Sequence, residues 1–149
     1  NCTFVGTTLK GYKPGEGQPG AWATQLYAAN GATIRNVLVG APKIELGEGA
    51  DDSLLYTVRF DNDKKNVSNC CVEGEETYGA NPADGTKICF SETEFGHIKL
   101  QSSCRNAGTN QTWMETAKDL DGNPRRFGRR VDIGCFELQD GPGLVIILK

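Results

Sequence analysis

No apolar run in the 149 residues approaches the ~18 that a membrane helix needs; Leu144–Leu148, the longest, has five. There is no basic surplus either. Sixteen Lys and Arg stand against 19 Asp and Glu, a net charge of −3, which argues against a general nucleic-acid binder. His97 is the one histidine and no Cys-x-x-Cys pair occurs, so the usual zinc spacings are missing. Gly and Pro total 19 + 6 = 25 residues, too few for low-complexity disorder but enough for many turns. Helix signals are nearly absent as well. The best window, Ala21–Ala29, alternates Trp22, Thr24, Leu26 and Ala28 as well as it repeats at a helical period.

What is there reads as all-β: short β-branched and aromatic runs cut by Gly, Pro, Asn and Asp every eight to twelve residues. The chain opens at Asn1 without Met or a signal h-region, as a processed product or a fragment would. With the even count of six cysteines, this points to an oxidising, extracellular or cell-surface location. Three Asn-x-Ser/Thr sequons begin at Asn1, Asn66 and Asn110 and carry little weight alone.

One repeat is visible. Asn1-Cys2-Thr3-Phe4-Val5-Gly6 aligns with Asn36-Val37-Leu38-Val39-Gly40 and with Asn69-Cys70-Cys71-Val72-Glu73-Gly74, at offsets of 36 − 1 = 35 and 69 − 36 = 33. The lead-ins Thr33-Ile34-Arg35 and Asn66-Val67-Ser68 agree. Such a ladder suits a solenoid with strands stacked about 4.8 Å apart and Asn1, Asn36 and Asn69 hydrogen-bonding up the stack. Alternation then sends Cys2, Phe4, Val37, Val39, Cys70 and Val72 inward and Thr3, Leu38 and Cys71 outward, with Leu38 a blemish. Cys2 and Cys70 lie two rungs apart, about 9.6 Å. That is too far for a disulfide.

Asn1-Cys2-Thr3-Phe4 resembles the repeat of right-handed parallel β-helix proteins, including the polymorphic outer-membrane adhesins. Ser68–Gly74 and Ile98–Gly108 are similar to the last coils of a large bacterial surface and secreted β-helix family. Asp119-Leu120-Asp121-Gly122-Asn123-Pro124-Arg125, followed by Val131-Asp132-Ile133-Gly134-Cys135-Phe136-Glu137, resembles the ending of such proteins, some of which carry choice-of-anchor sorting tails. Three features depart from that family: Cys135 in place of Ala, Arg129-Arg130 where Gly is commoner, and a chain that continues past Glu137. The resemblance implies an all-β fold, a right-handed parallel β-helix of about three coils over 1–97. A C-terminal β cap would occupy 98–137, and a linker with an apolar terminal strand 138–149. Asp132 would face outward and pair at the surface with Arg125, Arg126 or Arg130. Cys71, facing outward, would pair with Cys89, and Cys104 with Cys135 would staple the cap.

Candidate chemistry is sparse, and we expect no enzyme activity from these residues. His97 precedes a strand without a nucleophile beside it, as a solvated turn residue would. Glu45, Glu48, Asp51 and Asp52, then Glu73, Glu75 and Glu76, read as solvated loops more readily than as paired acids for glycosidic cleavage. Asp119, Asp121 and Asn123 read first as a hairpin turn and second as calcium ligands, the sole cofactor suggested. Arg125, Arg126, Arg129 and Arg130 read as a solvated hairpin face or as contacts for an anionic glycan. Tyr12, Trp22, Tyr27, Tyr56, Tyr78 and Trp113 either cover the sheet or stack on sugars.

The leading expectation is a non-catalytic extracellular structural or adhesive module. Leu144, Val145, Ile146, Ile147 and Leu148 would add to the open coil of the next copy and grow a head-to-tail fibre. Burial of that strand within its own coil is the plain alternative. The other functional readings are the C-terminal part of a carbohydrate-active enzyme and a sugar-binding module.

Overall fold

The computed structural model describes residues 1–11, 23–28, 32–48, 50, 55–60, 66–75 and 79–139. Leu144–Leu148 lie outside the described residues, as do Tyr12, Trp22, Asp51, Asp52, Glu76 and Tyr78. Nine strands occur among the described residues: β1 (Cys2–Phe4), β2 (Thr8–Gly11), β3 (Ala23–Ala28), β4 (Ile34–Arg35), β5 (Val37–Val39), β6 (Lys43–Leu46), β7 (Leu55–Phe60), β8 (Val67–Ser68) and β9 (Cys71–Val72). The helical elements among the described residues are short 3₁₀ turns, at Gly85–Lys87 and Thr112–Glu115. Within the ambiguous window Ala21–Ala29, the described residues Ala23–Ala28 are strand, as alternation favours.

Every strand ladder is parallel, and each joins segments about one repeat apart. Sheet order is β1-β5-β9, with two-stranded sheets β2-β6, β3-β7 and β4-β8. Cys2 pairs with Val37 (37 − 2 = 35) and Leu38 with Cys71 (71 − 38 = 33). Leu9 pairs with Ile44 (44 − 9 = 35), Ile34 with Val67 (67 − 34 = 33), and Ala23 with Leu55 (55 − 23 = 32). Parallel strands need a long crossover, and here each crossover is itself made of strands belonging to the other sheets.

In the three-stranded sheet β5 and β9 are buried on both faces, while Cys2 of β1, expected inward, is exposed at the sheet's edge. On one side Val37, Val39, Val67, Cys70 and Val72 form a core with Phe4, Leu26, Ile34 and Val58. On the other, Leu38 and Cys71 pack with Ala83, Ile98, Cys104 and Ile133. The outward assignment of Leu38 and Cys71 is therefore corrected. Alternation does send them to the second face, but residues 83–133 cover it, leaving Leu38 1 % and Cys71 0 % exposed.

Residues 79–87 close one end of the stack. Asn69 N–H donates to Ala80 O, Ala80 N–H to Val67 O, Ala83 N–H to Cys70 O, and Gly85 N–H to Glu75 O, at 2.8–3.1 Å. Gly85 runs so close that a Cβ would stand 1.7 Å from Val72 O. At the other end β1 and β2 pair on one side only among the described residues. Phe4 O accepts from Gly40 N–H, so strand alternation turns the backbone groups of Thr3 to the unpaired side.

Leu38→Ala tests the second core. Burial at this level predicts a loss of about 2–5 kcal/mol in urea denaturation. A loss under about 0.5 kcal/mol, ordinary for surface positions, would mean that the second face is not packed.

Candidate functional site

The segment that resembled a family ending folds around one buried guanidinium. The Asp-Gly-Asn-Pro stretch is a hairpin turn: Asp119 N–H donates to Asn123 O at 2.9 Å, Gly122 N–H to Asp119 O at 3.1 Å, and Arg125 N–H to Ala117 O at 2.9 Å. Gly122 supplies the positive φ of 85° that the turn requires. Asp119 locks it, its Oδ1 accepting from the amides of Asp121 and Asn123 and its Oδ2 from that of Glu137. The turn aims Arg125 inward, 2 % exposed, against the returning segment 132–137. Its Nη1 donates to Glu137 Oε2 at 2.8 Å and to Phe136 O at 3.2 Å. Its Nη2 reaches Gly134 O at 2.6 Å and Asp132 O at 3.1 Å.

The two acids beside it are bound mainly by amides. Asp132 accepts from Asn106 N–H at 2.6 Å and Leu138 N–H at 2.8 Å. Glu137 accepts from Phe127 N–H at 3.1 Å and Asp132 N–H at 3.0 Å. Burial pushes Glu137 up to about 7, against the pull of those amides and of Arg125, and raises Asp132 from its ordinary value for the same reason. Gly134, at φ 122°, lies on the outer face of β1 and β5, where a Cβ would meet Thr3 Oγ1 at 2.7 Å. Cys135 N–H donates to that hydroxyl at 3.0 Å.

Several expectations are revised by this arrangement. Asp132 is structural but buried, and Arg125 binds its carbonyl, not its carboxylate. Arg125 is an internal strut and cannot serve as a glycan contact. Asp119, Asp121 and Asn123 do not converge on a cation. The Asp119 oxygens face backbone amides, Asp121 faces His97, and Asn123 takes part through its backbone. No group of acids, His and Cys suited to a metal occurs among the described residues.

The asparagines do not ladder with one another. Asn36 and Asn69, at φ 54° and 51°, occupy equivalent left-handed positions and turn their amides to the covering segment. Asn36 exchanges two bonds with the Thr109 backbone, at 2.7 and 2.8 Å. Asn69 donates to Ala107 O at 3.1 Å and accepts from the Thr109 hydroxyl. Asn81, missed in the sequence, repeats the conformation at φ 48°, one residue after the Ser68–Ala80 bridge. Its signal was the pattern of Asn after a small residue, in Ala80-Asn81. The two Asn1 side-chain amide atoms are buried without a hydrogen-bond partner.

His97 is more than a solvated turn residue. Its ring stacks on Phe136 with centroids 3.8 Å apart, and Nε2 lies 2.6 Å from Asp121 Oδ2. Burial lowers its pKa, but the Asp121 hydrogen bond and charge outweigh that and leave it raised. Arg126 lies 3.6 Å from Glu115. Arg129 and Arg130 line an open groove of about 560 Å³ with Arg105, Asn106, Phe127 and Gly128, and Arg130 donates to the carbonyls of Ala107 and Gly108. Glu45 pairs with Lys10 and Lys43, and Glu73 accepts from Ala41 N–H. Trp113 is half exposed, its indole N–H on Gln111.

All six cysteines stand as thiols in the structure, with no bond drawn between Cys71 and Cys89 or between Cys104 and Cys135. The structure instead brings Cys71 and Cys104 together. Both lie in the second core, with Cys71 Sγ 3.9 Å from the hydroxyl of Ser103, next in sequence to Cys104, whereas Cys89 lies over Lys87 O and Cys135 over Thr3.

No family model, no curated protein and no solved structure matches the chain.

Two outcomes follow for the staple. Arg125→Ala leaves Glu137 buried without its cation and is expected to cost about 3–5 kcal/mol; retention of wild-type stability in denaturant melts would refute the strut role. Glu137 has its folded pKa raised above the ordinary carboxylate value, so its contribution is complete below about pH 4.5 and declines as pH rises towards 7. Across that window its share of stability should fall by up to about 1.4 kcal/mol per pH unit. Glu137→Gln should flatten the decline relative to wild type, and an unchanged slope would count against it.

Proposed function

We propose that the chain is the closing part of a right-handed parallel β-helix, acting as a non-catalytic structural or adhesive module at a cell surface. In this reading the ladders at offsets of 32–35 residues are successive coils, and residues 79–139 are the cap. The observation that carries it is the unlike state of the two ends. Among the described residues, backbone bonds from Ala80 and Ala83 cover the β9 edge of the three-stranded sheet, while β1 at its other edge pairs on one side only. A free edge is a template for strand addition. The buried acids and the two terminal nitrogens of the Arg125 guanidinium also have their bonds taken up internally, which suits a scaffold better than a reaction site.

The proposed occupant of the open edge is the apolar segment Leu144–Leu148 of a second copy, giving a head-to-tail contact that repeats into a fibre. Sedimentation velocity and negative-stain microscopy over a concentration series test this. The full chain should lengthen into polymers as concentration rises. Ile146→Asp, or removal of residues 144–149, should leave a folded monomer with an unchanged melting temperature. A full chain that stays monomeric at every concentration, or variants that polymerise equally well, would overturn the assembly reading.

A further inference from the structure

We infer that Cys71 and Cys104 form a disulfide that locks the covering segment onto the third strand of the three-stranded sheet. The placement is specific. Cys71 sits in β9 on the face that Leu38 shares, and Cys104 lies in the segment that covers this face; both side chains are wholly buried. Neighbouring bonds hold the two backbones in place. Ile133 N–H donates to Cys104 O at 2.9 Å, Ser103 N–H to Lys87 O at 3.0 Å, and the Ser103 hydroxyl to Asp84 O at 2.6 Å. The same hydroxyl lies 3.9 Å from Cys71 Sγ.

The other cysteines are placed elsewhere. Cys70 is next in sequence to Cys71 but points into the opposite core, its Sγ near Ser68 O and Ile34 O. Cys2 is exposed, and Cys89 and Cys135 are outside the second core. Cys71 and Cys104 are the two cysteines that share the second core.

The chemistry is thiol–disulfide exchange with a small disulfide such as oxidised glutathione. The Cys71 thiol loses its proton and attacks that disulfide, forming a mixed disulfide and releasing one small thiol. The deprotonated sulfur of Cys104 then displaces the second small thiol and closes the Cys71–Cys104 bond. Two protein thiols are oxidised and one small disulfide is reduced to two thiols. Because both sulfurs are inaccessible once packed, the bond forms as the segment docks during folding.

The test refolds the reduced full chain in a glutathione redox buffer, followed by alkylation and non-reducing peptide mapping. The expected result is a linked peptide pair containing Cys71 and Cys104, lighter by two hydrogens than the separate peptides. A melting temperature that falls on adding reductant is expected with it. Cys89→Ser and Cys135→Ser should keep that reductant-dependent fall, and Cys71→Ala with Cys104→Ala should abolish it. Finding both thiols alkylated in the refolded wild-type chain, or Cys71 linked to Cys89, overturns the inference. These readouts are independent of polymer length, so they stand whether or not the fibre assembly is found.

Discussion

A parallel sheet with apolar residues on both faces cannot stand with one of them in water, and the described residues 79–139 answer that constraint. Val37 and Val39 alternate with Leu38, so β5 buries one side chain set in each direction. The first face is covered by the other strands of the stack, which supply Leu26, Ile34, Val58 and Val67. The second has no such partner and depends on residues with almost no regular structure. An irregular segment can cover a sheet only if its own backbone groups are bonded. That is why its polar side chains turn inward.

Arg125, Asp119, Asp132 and Glu137 are the means of doing so. Between them they bind the amides of Asn106, Asp121, Asn123, Phe127, Asp132, Glu137 and Leu138, and the carbonyls of Asp132, Gly134 and Phe136. Asn36 and Asn69 reach out from the strands to bind residues 107 and 109 in the same manner. The cap is thus held to itself by buried carboxylates and to the sheet by buried amides, with Ile98, Cys104 and Ile133 supplying the apolar contact.

Much of the strand arrangement was legible because the repeat carries it. Matching Asn1, Asn36 and Asn69 places Cys2 on Val37 and Leu38 on Cys71, the register observed. The β2-β6 and β3-β7 ladders left no comparable mark, since Thr8-Leu9-Lys10 and Lys43-Ile44-Glu45 share only a pattern of polarity. The direction of the buried charges was not legible either. A sequence shows that Asp132 alternates with Val131 and Ile133, but not that a second segment lies over the face it points to. Without that segment Arg125 and Asp132 read as surface groups, and Leu38 as misplaced. The neighbour of Cys71 was hidden for the same reason: nearness along the chain suggested Cys89, whereas the buried cluster around Cys71 contains Cys104.

The atoms on which the Arg125 staple ends have a consequence for how such a cap can diverge. Most of its bonds terminate on main-chain groups of residues 106–138, not on their side chains. A main-chain carbonyl is the same acceptor whatever residue carries it. An exposed position such as Leu120 is therefore free to change identity while the bonds beneath it persist, and selection bears on a handful of polar residues. A segment built on this plan can alter its outward appearance quickly and leave its interior untouched.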